Sequence, residues 1–295
     1  KFIRSIKDSI LKKIHKSVYQ PGHYYSPIPS VNELRKDWDH IFNQDIKDIK
    51  DIDLNEKGQC DLIEKFTQYH NELPYTTKQS QGLRYYSNNG FFIKGDACVL
   101  YSIIREFRPK KIIEVGSGFS SAVCLDVNEL FFQNTIDLTF IEPYPDRLLS
   151  LLTETDKQKI HLLEKRIQEV PIDVFKELNE NDILFIDSSH ISKIGSDLNY
   201  LFFKVFPHLK KGVIIHIHDI CFPFEYPSSW IENGIFWNEA YLLRAFLMNN
   251  KAYKILFWND FIHKFHTPLL KEKLPEFTDI GGSIWLQKTF DTLEK

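Results

Sequence analysis

KIIEVGSGFSSAVCLDVNE, residues 111–129, is the stretch whose reading decides the fold, and LTFIEPYPDRL, residues 138–148, completes it. An apolar run meets a glycine-rich bend, a segment with helical character follows, and a second apolar run then ends on an acid. In that order an open α/β sheet holds an adenosine-bearing cofactor, with the bend at the end of one strand and the acid at the tip of the next. Gly116 and Gly118 let the backbone approach a ligand closely and are expected to take positive φ. Ser120 and Ser121 stand where side-chain oxygens cap the following helix. Glu142, at the strand tip, offers two carboxylate oxygens to the two hydroxyls of a ribose, and such charge-assisted bonds are worth about 1.5–3 kcal/mol each.

The bend reads GSGFSS, so Ser121 takes the place of the third glycine of GxGxxG, and Glu114 stands two residues before Gly116. An acid there repels a pyrophosphate but receives the α-amino group of a methionine moiety. The residues therefore favour S-adenosylmethionine over a nicotinamide dinucleotide.

Working outward, helical and extended patterns alternate from Asp96 onward: helix 96–107, strand 111–115, helix 120–131, strand 138–142, helix 145–152, strand 160–164, helix 171–178, strand 182–187, helix 195–206 and strand 212–218. The strands are rich in Ile, Val, Leu and Phe without polar alternation, so both faces are buried and the sheet is parallel, with helices on each side. Right-handed crossovers then line up the strand ends EVGSG, FIEPY, FIDSSH and HIHDI along one rim. In the last third, FWNEAYLLRAFLMNN reads as a helix, and AYKILFW and GGSIWLQK as strands that complete the sheet. Residues 1–80 read as an accessory region. It holds a basic helix with Ile3, Ile6, Ile10 and Ile14 at helical spacing, the turn PGHYYSPIPS, whose three prolines exclude regular structure, and polar helices near 31–50 and 59–72. The remaining chain, 81–295, is expected to form the cofactor-binding domain.

Composition narrows the classes further. A chain of 295 residues, 43% hydrophobic and 26% charged with a net charge of −3, is ordinary for a globular protein and carries no general nucleic-acid signal. Every apolar run falls short of the ~20 residues of a membrane span. The four cysteines, Cys60, Cys98, Cys124 and Cys221, form no CxxC pair and read as reduced thiols of a cytoplasmic protein. Lysines interrupt the apolar stretches near the start, so no secretory leader is expected there.

With strand, acid, glycines and second acid in place, the chain resembles class I S-adenosylmethionine-dependent methyltransferases. More narrowly it is similar to the bacterial methyltransferase-domain proteins of carbohydrate gene clusters, and more distantly to macrolide-sugar O-methyltransferases. RYYSNNGFFIKGDACVLYSIIREFRPKKIIEVGSGFSS, NDILFIDSSHISKIGSDLNYLFFKVFPHLKKGVIIHIHDICFPFEYP, FWNEAYLLRAFL and GGSIW carry the resemblance across most of residues 83–287, and PGHYYSPIP carries it in the N-terminal region. It implies a Rossmann-like, seven-stranded sheet whose last strand, GGSIWLQ, is antiparallel. It also implies that Glu114, Gly116, Ser117, Gly118 and Ser121 hold the methionine side, that Glu142 binds the ribose, and that adenine lies by Pro143, Ile167 and Gln168. Asp187 would sit beside the cofactor, and the segment Tyr85–Asn89, Tyr86 included, would cover it.

FIDSSH and HIHDI carry the candidate chemistry. In the macrolide-sugar enzymes an acid and a histidine at DxxH spacing act as metal ligand and general base, which the resemblance carries to Asp187 and His190. A sugar hydroxyl ionises far above neutrality, so its attack on a sulfonium methyl gains from proton removal, which His190 suits by its near-neutral pKa. His216 and His218 share a strand face, and Asp219 ends the strand. Asp187, His218 and Asp219 are the candidate metal ligands, with His218 standing where the family pattern has an acid; nitrogen there suits zinc, iron or manganese better than Mg²⁺. HxHD falls one residue short of the HxHxDH of metallohydrolases. CFPFEYPSSW reads as a rim loop in which Glu225 and Tyr226, with His190, face substrate, or as an apolar lid or subunit contact. The reading is an O-methyltransferase with a small hydroxylated, sugar-like acceptor, no nucleic-acid partner, and a homo-oligomeric state among the alternatives. A nucleotide-dependent oxidoreductase and a noncatalytic methyltransferase-like binding module are the rival readings.

Overall fold

The computed structural model describes residues 18–43, 45–277 and 281–291, so the basic helix expected at the start lies outside the described residues. The chain forms two compact units, Lys1–Ile46 with Glu225–Trp237, and Lys47–Phe224 with Asn238–Lys295.

In the smaller unit, PGHYYSPIPS forms turns closed by Gly22 N–H donating to Ile28 O at 2.9 Å. The polar run expected as a helix over 31–50 forms only Val31–Leu34 and Trp38–Phe42 before entering loop. From Asp45 to Asp53 that run repeats Asp-Ile-Lys, and Asp51 takes φ 64, outside the helical region.

The larger unit begins with helix α1 (Glu56–His70), followed by α2 (Lys94–Phe107), strand β1 (Lys111–Val115), α3 (Phe119–Phe132) and β2 (Asp137–Ile141). Next come α4 (Asp146–Leu151), α5 (Glu154–Lys157), β3 (Ile160–Leu163), α6 (Ile172–Lys176), β4 (Ile183–Ile186), α7 (Asp197–Tyr200) and β5 (Ile214–Ile217). The chain closes with α8 (Glu239–Leu247), β6 (Tyr253–Trp258), α9 (Asn259–Lys273) and β7 (Ile284–Lys288). The sheet has seven strands in the order β3-β2-β1-β4-β5-β7-β6, with only β7 antiparallel to its neighbours. β4 and β5 are buried along their whole length, β4 as its unbroken apolar run requires and β5 with His216 among its buried residues. The expected helix 195–206 is shorter: α7 passes into a π turn over Leu201–Val205 and a 3-10 turn over Phe206–His208, where Pro207 supplies no amide to continue the ladder.

One partly buried cation ties the segment before α2 to the helical layer. The Arg84 guanidinium contacts Asp126 of α3 at 2.9 Å and Asp156 of α5 at 2.6 and 2.8 Å, and Asp126 also accepts the Tyr85 amide at 2.9 Å. Arg84→Ala leaves two buried carboxylates unpaired, so urea unfolding should show a loss of about 3–5 kcal/mol. A change within experimental error would show that the cluster adds nothing net to stability.

Candidate active site

Most of the candidate side chains sit at or just past the carboxyl ends of strands, with Glu114 inside β1 and Glu239 at the start of α8. The ladder continues one step beyond the strands: Gly116 N donates to Ile141 O (3.0 Å), Asp187 N to Val115 O (2.9 Å), His218 N to Ile186 O (2.9 Å) and Glu142 N to Leu163 O (3.1 Å). These bonds set the rim residues side by side and aim their side chains out of the sheet.

The bend after β1 is built for close approach. Gly116 has φ +82, and a Cβ there would lie 1.7 Å from the Asp187 carbonyl oxygen. Gly118 differs from the expectation of positive φ: at φ 177 it is extended, and the contact that favours glycine is Arg147 Cδ, 3.0 Å from a built Cβ. Ser121 Oγ accepts the Gly118 amide at 3.0 Å and so caps α3. Ser120 turns inward instead and donates to Glu114 Oε1. Glu114 is fully buried, its Oε2 has no partner, and burial pushes its carboxyl up to about 8.

A cleft of about 580 Å³ opens along this rim, lined by Gly116, Glu142, Pro143, Ile167, Gln168 and Asp187 among others. Glu142 Oε2 accepts the Ser117 amide at 3.1 Å and Oε1 the Tyr144 amide at 2.8 Å, which fixes the carboxylate. Tyr86 packs edge-on against Phe119 at 5.4 Å, over the start of α3. Its segment is braced by Asn89, whose side chain bonds Tyr86 O and Phe92 O and accepts the Phe91 and Phe92 amides at 2.7–2.9 Å. Arg166 and Lys193 also line the cleft and were not singled out from the sequence.

Asp187, His190 and Asp219 converge, with one potential ligand atom of each within 4.8 Å of the others. His190 Nε2 lies 3.3 Å from Asp187 and 3.7 Å from Asp219. His190, rather than the expected His218, is thus the imidazole of this group. His218 Nε2 stands 3.8 Å from Asp219, while its Nδ1 lies 3.3 Å from Ser283 Oγ, which donates to buried Asp96. Burial raises Asp96 to about 6 against the pull of His218 and Ser283. His216 stacks on Phe185 at 3.7 Å with neither ring nitrogen partnered, and burial holds it neutral.

Glu239 is the residue the sequence reading missed. Its Oε2 lies 2.9 Å from His190 Nδ1, both groups are buried, and burial raises the Glu239 carboxyl. The signal was available: Glu239, Ala240, Leu243 and Leu247 share the buried face of α8, and an acid on an apolar face requires a partner. Burial opposes the His190 charge, but its bonds to Asp187 and Glu239 prevail and push the imidazole up to about 10, above the expected near-neutral value. Burial likewise opposes the Asp187 charge, but His218 and His190 hold that carboxyl down at about 2. Glu225 and Tyr226 belong to the smaller unit, where Tyr226 stacks on Trp230 at 5.9 Å and Glu225 accepts the Tyr226 amide at 3.1 Å.

A family profile described as "Methyltransferase domain" matches residues 113–220, the span from β1 through the rim after β5. An uncharacterized protein of Archaeoglobus fulgidus is 35% identical over 181 residues, covering 60% of this chain and 80% of that protein. Among solved structures, the apo form of CmcI-N160 is 17% identical, with 75% of this chain and 83% of that one covered and a TM-score of 0.44. The Podospora anserina methyltransferase PaMTH1, solved with S-adenosylhomocysteine bound, is 15% identical, with 90% and 99% covered and a TM-score of 0.42. The chain belongs to the methyltransferase-domain family. The matched span is a methyltransferase domain, and the cofactor expected from the sequence is S-adenosylmethionine.

The site fits that cofactor: Gly116 leaves space that a Cβ would fill, and Glu114 Oε2 is a buried acceptor lacking a donor. Gly116→Ala should abolish calorimetric binding of S-adenosylmethionine and cost about 1–3 kcal/mol of stability. Retained affinity would show that the ligand does not pass over Gly116. For Glu114, a carboxyl raised from 4.5 to about 8 keeps in the native state a proton that the unfolded chain releases, so stability falls as pH rises through that window. Glu114→Gln should flatten this fall in urea melts from pH 5 to 8 and weaken cofactor binding. An unchanged pH slope would contradict the assignment.

Proposed function

We propose that the protein transfers a methyl group from S-adenosylmethionine to a hydroxyl of a small molecule, a sugar or glycoconjugate. The observation that carries this reading is His190, buried between Asp187, which lines the cofactor cleft, and Glu239, with Nε2 turned to the rim. A phenol with a pKa near about 10 needs little help in losing its proton, whereas an alkyl hydroxyl needs a base at the moment of attack. When bound, S-adenosylmethionine supplies an electrophilic sulfonium methyl. Glu114 would receive its amino group, Glu142 its ribose hydroxyls, and Pro143, Ile167 and Gln168 would flank the adenine. Tyr86, with its braced segment, would cover the bend, and Ser117 and Gly118 would present backbone to the methionine side. Aligning nucleophile, methyl carbon and sulfur is the protein's largest contribution, worth up to about 7–11 kcal/mol.

The Asp187 and Asp219 carboxylates are suited to a divalent cation of the manganese kind, with His190 Nε2 kept for the acceptor proton. Asp187 and Asp219 would hold it, and it would supply charge stabilisation to an ionising acceptor hydroxyl. The same positive charge would offset the carboxylates that keep His190 protonated and so lower the imidazole toward the range of a working base. The free thiols of all four cysteines support a reducing compartment such as the cytoplasm.

The test begins with a screen of nucleotide sugars and glycosides for formation of S-adenosylhomocysteine. On the acceptor so found, His190→Ala should lower kcat about a hundredfold while calorimetric affinity for S-adenosylmethionine is kept. Wild-type kcat in that variant would refute the base assignment, and a loss confined to KM would make His190 a substrate-positioning group. Chelation should abolish turnover without loss of cofactor affinity, and a divalent ion should restore it. Full activity in metal-free buffer would leave Asp187 and Asp219 as partners of His190 alone. Heat from NAD binding, with none from S-adenosylmethionine, would favour the oxidoreductase reading.

A further inference from the structure

Away from the rim, Cys60, His266 and Glu56 stand in series between two helices. Glu56 and Cys60 lie one turn apart on α1 and therefore share a face. His266 comes from α9, which is broken there: the residue has φ −127 and ψ 22, two positions before Pro268, whose ring and missing amide interrupt the helical ladder. His266 Nδ1 lies 3.7 Å from Cys60 Sγ, and Nε2 lies 2.9 Å from Glu56 Oε1. The second contact is an ion-pair approach off the ring's donor axis, since Nε2 forms no aligned hydrogen bond. Lys47 Nζ sits 2.7 Å from the same carboxylate oxygen and holds it in place.

A thiol, an imidazole and an acid in this order are a nucleophile, its base and the group that orients the base. We infer that Cys60 is a modification site for soft electrophiles, with His266 taking the thiol proton as sulfur attacks. The other cysteines lack this arrangement: Cys98 and Cys124 are fully buried, and burial raises the Cys221 thiol strongly. Burial, with Glu56 and Asp61 nearby, also raises Cys60, while Lys47 opposes the rise. The resting group is therefore a thiol, so its reactivity depends on a base within reach. With iodoacetamide as probe the step balances simply. The sulfur–carbon bond forms as the carbon–iodine bond breaks, iodide leaves with the bonding pair, and the proton moves to His266 Nδ1, whose ring keeps its Nε2 proton toward Glu56.

The experiment is alkylation of the intact protein by iodoacetamide at pH 7, read residue by residue by peptide mass spectrometry. Cys60 should react at least about tenfold faster than Cys98, Cys124 and Cys221, and His266→Gln should slow Cys60 by about tenfold or more. An unchanged Cys60 rate in folded His266→Gln overturns the inference. Should His266→Gln fail to fold, Glu56→Gln provides the second arm: a slower Cys60 supports the series, and a wild-type rate overturns it.

Discussion

The approach of the Gly116 backbone to the Asp187 carbonyl is the constraint on which the rest of the site depends. β1 and β4 pair in register through Val115 and Ile186, and one residue later both chains leave the sheet. A side chain at Gly116 would occupy the Asp187 oxygen's position. The two rims can therefore meet only because one of them has no Cβ. From that meeting come the floor of the cleft, the placement of Glu142 beside the bend, and the alignment of Asp187 with His190. The bend is thus a packing requirement between neighbouring strand ends as well as an opening for a ligand.

The rim also gathers acid beyond what its own cations balance. Glu114, Asp187, Asp219, Glu239 and Asp96 gather around His190 and His218, and most of these groups are buried. Burial pushes Glu114, Asp96 and Glu239 toward the neutral form, while Asp187, flanked by both histidines, stays ionised. Such a field suits cationic ligands: an ammonium and a sulfonium on one side of Asp187, a divalent ion or a protonated imidazole on the other. Deep acids that cost stability in the empty protein become favourable when a cation arrives.

The parallel strands, the bend, the two rim acids and the DxxH pair were legible because each is a local signal: an unbroken apolar run, a glycine pair, a strand-terminal carboxylate. What the sequence did not disclose depends on contacts between distant segments. Arg84 finds Asp126 and Asp156 across three helical segments, and His190 finds Glu239 forty-nine residues away. The exchange of His218 for His190 in the converging group follows from backbone direction after β4 and β5, which spacing alone does not encode. Gly118 shows the converse: the residue type was anticipated, but its cause is the stem of Arg147 rather than a left-handed backbone.

His190 and Asp219 both take left-handed backbone, φ 57 and φ 55, conformations that cost about 1–2 kcal/mol per residue unless the surroundings impose them. For His190 the imposing structure is visible. Its carbonyl accepts the Asn238 and Glu239 amides at 3.1 and 3.2 Å, satisfying donors at the start of α8, while the Glu239 side chain returns to the His190 ring. Main chain and side chain are therefore held by the same helix end, and the imidazole has little freedom to turn away from Asp187. As the proposed base, an imidazole fixed in this way would lose little orientational entropy when an acceptor hydroxyl arrives, so the strain stored in the backbone at the rim would be matched by a gain in preorganisation at the ring.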